Sequence, residues 1–378
     1  MMGLAGEEEY VLLADRQTAE AAALPAGAQL AVAKTSSAVV AAASANGSRR
    51  LRDLLAMRRL TAEARLDVLF FPAVYSYFPV PRGLPCAVTF HDVIAETLPR
   101  EALGSWRARL LWTLKCRLAM RRATAVLTVS EASRKGLARQ YGLPAERIEV
   151  IGEAPSAVFR DVRAAGELDL NRLRRHGLDP GSPFVLYVGG ISPHKNLGML
   201  IRAFADVRAK LRRDELRLVL VGDHAGDAFR TCYHELCGLV AREGLGDAVH
   251  FTGFVPDKDL VHLYAACEAF VLPSRLEGFG LPAVEAMACG AAVLASNRGS
   301  LPEVLDGAGL LFDPDTPAAI ARALAEALTD ANRRQTLRQS GLKRAAAFSW
   351  RRSAQSVRSV LRQAVRAGAE PSTDILGV

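Results

Sequence analysis

Two acids, Glu277 and Glu285, bracket a Gly-Phe-Gly-Leu-Pro loop in the stretch SRLEGFGLPAVEAMACG, residues 274–290. Gly278 and Gly280 let the backbone turn tightly and approach a ligand without a Cβ in the way. Leu281-Pro282 then opens a helix, since proline suits the first helical turn. A helix N-terminus presents free N–H groups and the positive end of its dipole, so a phosphate group is a natural guest. Glu285 lies about one turn inside that helix, where it would repel phosphate. A carboxylate that accepts two hydrogen bonds suits a ribose diol instead. Glu277 precedes the helix and can address a group beyond the phosphates, such as a sugar. Taken alone, the pair also fits two surface acids near a helix start.

Two further stretches bear on that choice. In YVGGISPHKN, Tyr187–Asn196, Gly189 and Gly190 make a turn after an apolar run, and Lys195 stands at the next helix start. A lysine at the C-terminal mouth of a parallel sheet can neutralise a diphosphate leaving group. The spacing does not match G-x-x-x-x-G-K-[ST], and no G-x-G-x-x-G follows the first strand, so a P-loop and a dinucleotide site are both disfavoured. In TFHDV, Thr89–Val93, His91 and Asp92 end another apolar run and would face a cleft between domains. His176, His224, His234, His250 and His262 have no partner at a meaningful spacing and read as structural or surface residues.

These loops need a sheet to hold them. Apolar runs at Phe184–Val188, Leu216–Val221, Val249–Thr252, Ala269–Leu272, Ala292–Ala295 and Leu310–Phe312 alternate with amphipathic stretches at Leu197–Leu211, Ala228–Arg242 and Lys258–Ala266. That alternation means α/β with a parallel sheet, and six strands make one doubly wound domain. The first half repeats the theme at Tyr10–Leu13, Asp67–Phe71, Ala87–Phe90, Ala125–Val129 and Ile148–Ile151. The polar stretch Arg160–Pro183 reads as a linker. The expected layout is an N-terminal Rossmann-like domain over 1–172 and a second over 173–350. A C-terminal helix over 351–368 crosses back to the first domain, and a frayed tail covers 369–378. Because EYVLLAD, residues 9–15, resembles a second strand, the first βα unit is expected to be missing from the N-terminal domain.

At 378 residues, two domains are expected. Half the residues are hydrophobic and no apolar run approaches the ~18 residues of a membrane span. Glu7, Glu8 and Glu9 stand where a secretory signal would be basic. The six cysteines form no C-x-x-C pair, which points to buried thiols in a reducing cytoplasm and away from a zinc site. The net charge of +8 favours anionic partners. The basic residues are spread along the chain without a basic-aromatic recognition motif, so nucleic acid is not expected.

Together these blocks resemble the retaining glycosyltransferase family 4, of the GT-B fold: two doubly wound Rossmann-like domains facing a cleft. Glu277 and Glu285 match its E-x7-E pattern; YVGGISPHKN, TFHDV, LTVSEASR (Leu127–Arg134) and GSLPEVLDGAGLLFDP (Gly299–Pro314) match further blocks in the same order. The resemblance implies transfer of a sugar from a GDP- or UDP-linked donor, with no required metal or other cofactor. By similarity, Lys195 and the amides of Gly280 and Leu281 hold the diphosphate, near the Gly189–Gly190 turn. Glu285 takes the ribose; Glu277 and the amides of Gly278 and Phe279 hold the donor sugar; backbone around Phe254 and Val255 meets the base. His91 contacts the sugar from the N-terminal domain. The branch it resembles most is the mannosyl- and rhamnosyltransferases of polysaccharide and O-antigen synthesis, so the expected acceptor is a glycan or lipid-linked glycan. Many relatives carry arginine at the position of Gly190 or His194, which leaves Lys195 as the sole side-chain cation on the diphosphate unless His194 protonates. The alternative is a degenerate GT-B domain that binds a nucleotide sugar or a partner without turnover.

Residues 100–122 carry seven basic side chains and one acid, Glu101, interleaved with Trp106, Leu110, Leu111, Trp112, Leu114 and Leu118. A basic amphipathic helix with tryptophan can lie on an anionic membrane, and can equally be a packed helix with a basic solvent face. The corresponding expectation is a cytoplasmic protein, peripheral on the inner face of the cell membrane.

Overall fold

The computed structural model describes residues 1, 3–4, 6–21, 27–35, 51–103, 105–223 and 231–369. His224 and the tail from residue 370 lie outside these. The chain divides into two compact units. The first comprises Met1–Pro99, Leu103–Gly152 and the chain from Arg351 onward; the second comprises Arg100–Ala102 and Glu153–Trp350.

The second unit is built on six parallel strands: β7 (Phe184–Val188), β8 (Arg217–Val221), β9 (Val249–Gly253), β10 (Ala269–Leu272), β11 (Val293–Ser296) and β12 (Leu310–Phe312). Their order across the sheet is β9-β8-β7-β10-β11-β12. The chain runs outward from β7 to β9, then returns to lay β10 beside β7, pairing Ala269 with Val185 and Phe270 with Leu186. This is the doubly wound order, with its switch point between β7 and β10. β7 and β10 are buried throughout, which explains why their sequences read as unbroken apolar runs. The amphipathic helix Leu197–Leu211 turns Leu200, Ile201, Phe204 and Val207 inward at helical spacing.

In the first unit, β3 (Leu69–Phe71), β4 (Cys86–Thr89), β5 (Ala125–Thr128) and β6 (Ile148–Val150) form a four-stranded parallel sheet in sequential order. β1 (Tyr10–Asp15) pairs in parallel with β2 (Ala28–Ala33) as a separate two-stranded sheet. The sequence reading missed β2, because AQLAVA is poor in β-branched residues and leaves Leu30 and Val32 exposed. The C-terminal helix, Trp350–Ala369, packs Val357 and Val360 against Ala87 and Leu127 of the β4–β5 surface. Arg358 also reaches Glu8, at 2.8 Å.

The boundary between units falls at Gly152, earlier than residue 172, because the segment that follows is tied to the second unit by side chains. Arg172 pairs with Asp259 at 2.6 Å and His176 with the other oxygen of Asp259 at 3.1 Å. The amide of Asp169 donates to His262 Nδ1 at 3.1 Å. His250 Nε2 lies 2.8 Å from the carbonyl of His176. Three histidines that looked partnerless in sequence thus fasten the linker.

Candidate active site

The loops after β7 and β10 meet at the switch point, and the residues between them are fixed by close approach. Gly189 has φ +150°, and a Cβ there would lie 2.7 Å from the Tyr187 hydroxyl, which itself donates to the Gly190 carbonyl at 2.7 Å. A Cβ on Gly222, after β8, would lie 2.1 Å from the Gly189 carbonyl oxygen. The turn that launches the lysine segment therefore admits only small residues.

Beyond it, a single 3-10 turn over Pro193–Lys195 leads into Asn196, which sits in the left-handed region at φ +61°. The buried Asn196 amide donates to the carbonyls of Pro273 at 3.2 Å and Pro314 at 2.7 Å. The Arg275 amide donates to the His194 carbonyl at 2.9 Å. These bonds stitch the ends of β7, β10 and β12 together, and they place Lys195 Nζ 2.7 Å from Glu277 Oε1. Glu277 also accepts from Ser274 Oγ at 2.6 Å. Its backbone is clamped from the loop after β11: Ser300 Oγ donates to the Glu277 carbonyl at 3.2 Å, and a Cβ on Gly299 would lie 2.8 Å from that oxygen.

Gly280, at φ +92°, starts the helix Leu281–Ala288 with Pro282 in its first turn. A Cβ on Gly280 would lie 2.5 Å from Leu301 Cδ2. The Phe279 ring points inward and stacks edge-on against Phe348, with centroids 5.5 Å apart, so its backbone alone is available to a ligand. Glu285, on the same helix, accepts from the Tyr264 hydroxyl at 3.0 Å.

The two acids differ electrostatically. Burial would raise the Glu277 carboxyl, but the Lys195 ammonium and the hydrogen bonds from Lys195 and Ser274 outweigh it and hold the group below the usual carboxylate range. Burial pushes Glu285 up to about 7, a rise that the Tyr264 hydrogen bond opposes and the nearby Asp257 carboxylate adds to. His194 is 1% exposed, with Nδ1 3.2 Å from Ser192 Oγ. Burial, helped by the neighbouring Lys195 charge, lowers it to about 4. At neutral pH this leaves Lys195 beside a neutral His194.

Thus Gly189, Gly190, Lys195, Glu277, Gly278, Phe279, Gly280 and Leu281 belong to adjoining loops at one sheet edge. Val255 is buried in the loop after β9, two strands from the switch point, beside an exposed Phe254. His91 belongs to the first unit, after β4. Its Nε2 lies 2.9 Å from the Pro72 carbonyl, and its own carbonyl accepts from Ser133 Oγ at 3.0 Å. Among the described residues no group of three or more His, Cys, Asp or Glu could hold a metal ion. The sequence reading assigned no role to Asn196, Ser300 or Tyr264. The first two stand inside blocks already singled out; Tyr264, 21 residues before its partner Glu285, has no local signal.

A doubly wound sheet with a cation, an acid and a helix N-terminus at its switch point has the chemistry that suits a phosphorylated ligand. A family model described as "Glycosyl transferases group 1" matches residues 171–344, and one described as "Glycosyltransferase Family 4" matches residues 10–153. The O-antigen chain mannosyltransferase B of Escherichia coli is 34% identical over 275 residues, 72% of this chain and 69% of that protein. The chain belongs to the GT-B glycosyltransferases. The serotype-specific mannosyltransferase WbdA of E. coli is 31% identical over 265 residues, which cover 70% of this glycosyltransferase and 32% of WbdA. The chain thus spans about a third of that longer relative. In fold, it is similar to the sucrose-phosphate synthase of Thermosynechococcus elongatus, with a TM-score of 0.68 at 24% identity over 84% of this chain and 78% of the other.

Proposed function

We propose that this glycosyltransferase moves a sugar, mannose first among candidates, from a GDP- or UDP-linked donor to a glycan or lipid-linked acceptor, with retention of anomeric configuration. The observation that carries the reading is the contact of Lys195 with the buried Glu277 at the switch point, beside the start of helix Leu281–Ala288. In the proposed complex Lys195 and the first amides of that helix hold the diphosphate. Glu277 accepts from hydroxyls of the donor sugar, and Glu285 accepts from the ribose diol. The bond from the anomeric carbon to the diphosphate oxygen breaks, and the acceptor oxygen bonds to the same face of that carbon. The departing phosphate oxygen takes the acceptor's proton, so no protein nucleophile is needed. With the leaving charge met by Lys195 and the helix, the reaction proceeds without a metal. The mannosyltransferase relatives support the choice of mannose.

The test begins with a thermal-shift panel of GDP-, UDP-, ADP- and dTDP-sugars on the full chain. A donor at ~100 times its dissociation constant adds about 2.7 kcal/mol, a rise of roughly 5–10 °C for a domain of this size. Transfer from the donor so identified is then followed by the anomeric proton coupling of the product, with Glu277→Ala as control. No shift with any donor, or full transfer by Glu277→Ala, overturns the proposal.

A further inference from the structure

The helix Trp106–Arg122 is capped by Ser105, whose Oγ accepts from the Ala108 amide at 3.2 Å, so Arg100 and Glu101 are not part of it. One side of this helix is firmly seated. Trp112, Cys116, Ala119 and Met120 are buried. The Trp112 indole N–H donates to Glu96 at 2.8 Å, and its ring lies against Tyr75 with centroids 5.1 Å apart. Lys115 donates to the Tyr75 carbonyl at 2.7 Å, and Arg122 donates to the carbonyls of Pro81 and Leu84. The helix cannot roll without breaking these contacts, so its opposite face is fixed outward.

That outward face is apolar. Trp106, Leu110, Leu114 and Leu118 recur every four residues, with Leu111 beside them, and all five are exposed, from 67% for Trp106 to 48% for Leu118. A soluble protein leaves single leucines exposed, but a five-residue stripe along one helix is a docking surface. Helical geometry places Arg107, Arg117 and Arg121 within the same arc, and all three are exposed. The Arg107 guanidinium lies 5.4 Å from the centre of the Trp106 ring. The helix contains no acid.

We infer that this face binds the surface of an anionic lipid bilayer. Leucines and tryptophan enter the boundary between headgroups and acyl chains, while the interleaved arginines extend along that boundary to lipid phosphates. A second copy of the chain fits less well, because a two-fold contact through this stripe would set its arginines against their own symmetry mates. Among the described residues no helix is long and apolar enough to cross a membrane, so the contact is one of lying on the surface.

Flotation of the full chain with phosphatidylcholine vesicles, with and without phosphatidylglycerol, tests this directly and involves no sugar donor. The chain should float with phosphatidylglycerol vesicles, lose that binding as salt rises, and show a blue-shifted tryptophan emission that Trp106→Phe diminishes. The variant Leu110→Ser/Leu114→Ser/Leu118→Ser should reduce partitioning at least ~10-fold with the melting temperature kept, since the replaced side chains are exposed. Arg107→Glu/Arg117→Glu/Arg121→Glu should remove the preference for phosphatidylglycerol. Absence of binding by the parent chain, or equal binding by the leucine variant, overturns the inference. So does a dimer in sedimentation that the leucine variant converts to monomer, which would make the face a contact between copies.

Discussion

Replacing Lys195 with methionine keeps the length and apolar stem of the side chain and removes its charge. Glu277, 9% exposed at its side chain, then retains Ser274 as a hydrogen-bond donor but loses its counter-ion. Removing one partner of a buried ion pair costs about 3–5 kcal/mol, most of it the penalty of an uncompensated charge. For a unit of this size the melting temperature should fall by roughly 6–20 °C. The pH dependence is diagnostic. In the parent chain the Glu277 carboxyl is held below its usual range, so its stabilising contribution is present above the unfolded value and disappears as pH falls through the folded one. In Lys195→Met burial outweighs the remaining Ser274 hydrogen bond and raises the carboxyl, so stability falls as pH rises past the unfolded value. The gap between the two chains should therefore be small near about pH 4 and widen toward neutrality. Lys195→Met/Glu277→Gln removes the orphaned charge and should recover most of the loss. Urea unfolding at both pH values measures the cycle. A Lys195→Met loss under ~1 kcal/mol, equal at the two pH values, is the behaviour of an exposed pair and would refute the reasoning.

Gly280→Ala forces a Cβ to within 2.5 Å of Leu301 Cδ2 at a positive φ, and should cost about 1–3 kcal/mol of stability and weaken donor binding, read by denaturation and calorimetry. Asn196→Ala leaves the Pro273 and Pro314 carbonyls without their donor, and should cost about 1–3 kcal/mol with a rise in donor KM larger than the fall in kcat. Glu285, raised to about 7, accepts from a ribose diol best when ionised, so affinity for an intact nucleotide sugar should climb between pH 6 and 8; Glu285→Gln should flatten the profile and Tyr264→Phe should move it to higher pH.

How far the sequence revealed this molecule depended on where each element's partners lie. The second unit was legible nearly strand by strand, because strands buried on both faces must be apolar throughout. β2 was not, since its Leu30 and Val32 are exposed and alanine carries little strand preference. The linker looked unattached because Asp259, 87 residues after Arg172, does the fastening. The loops at the switch point announced themselves through glycines and acids at short spacing. The bonds that give those loops their geometry did not, because Asn196 reaches Pro314 and Glu277 reaches Ser300 across the sheet. The basic segment at 100–122 allowed two readings of its leucines. The seating of Trp112, Cys116, Ala119 and Met120 decided which of them face out.

Glu277 and Lys195 are in contact, so their charges already answer each other. In the proposed complex an arriving diphosphate would compete with the Glu277 carboxylate for the same ammonium, and the displaced carboxylate would become an acceptor for sugar hydroxyls. A nucleotide without its sugar would have to break the ion pair and leave Glu277 buried with Ser274 as its remaining donor. A nucleotide sugar breaks the same pair but gives the carboxylate new donors. Attachment of the sugar should therefore strengthen binding beyond the sugar's own contacts. Glu277→Gln removes the competition, so this variant should bind a nucleoside diphosphate more tightly than the parent chain while binding the intact donor less selectively. Titration calorimetry of both ligands against both chains measures that exchange. If Glu277→Gln weakens binding of the diphosphate alone, Glu277 is not competing for Lys195, and the pair acts only as a scaffold for the loop.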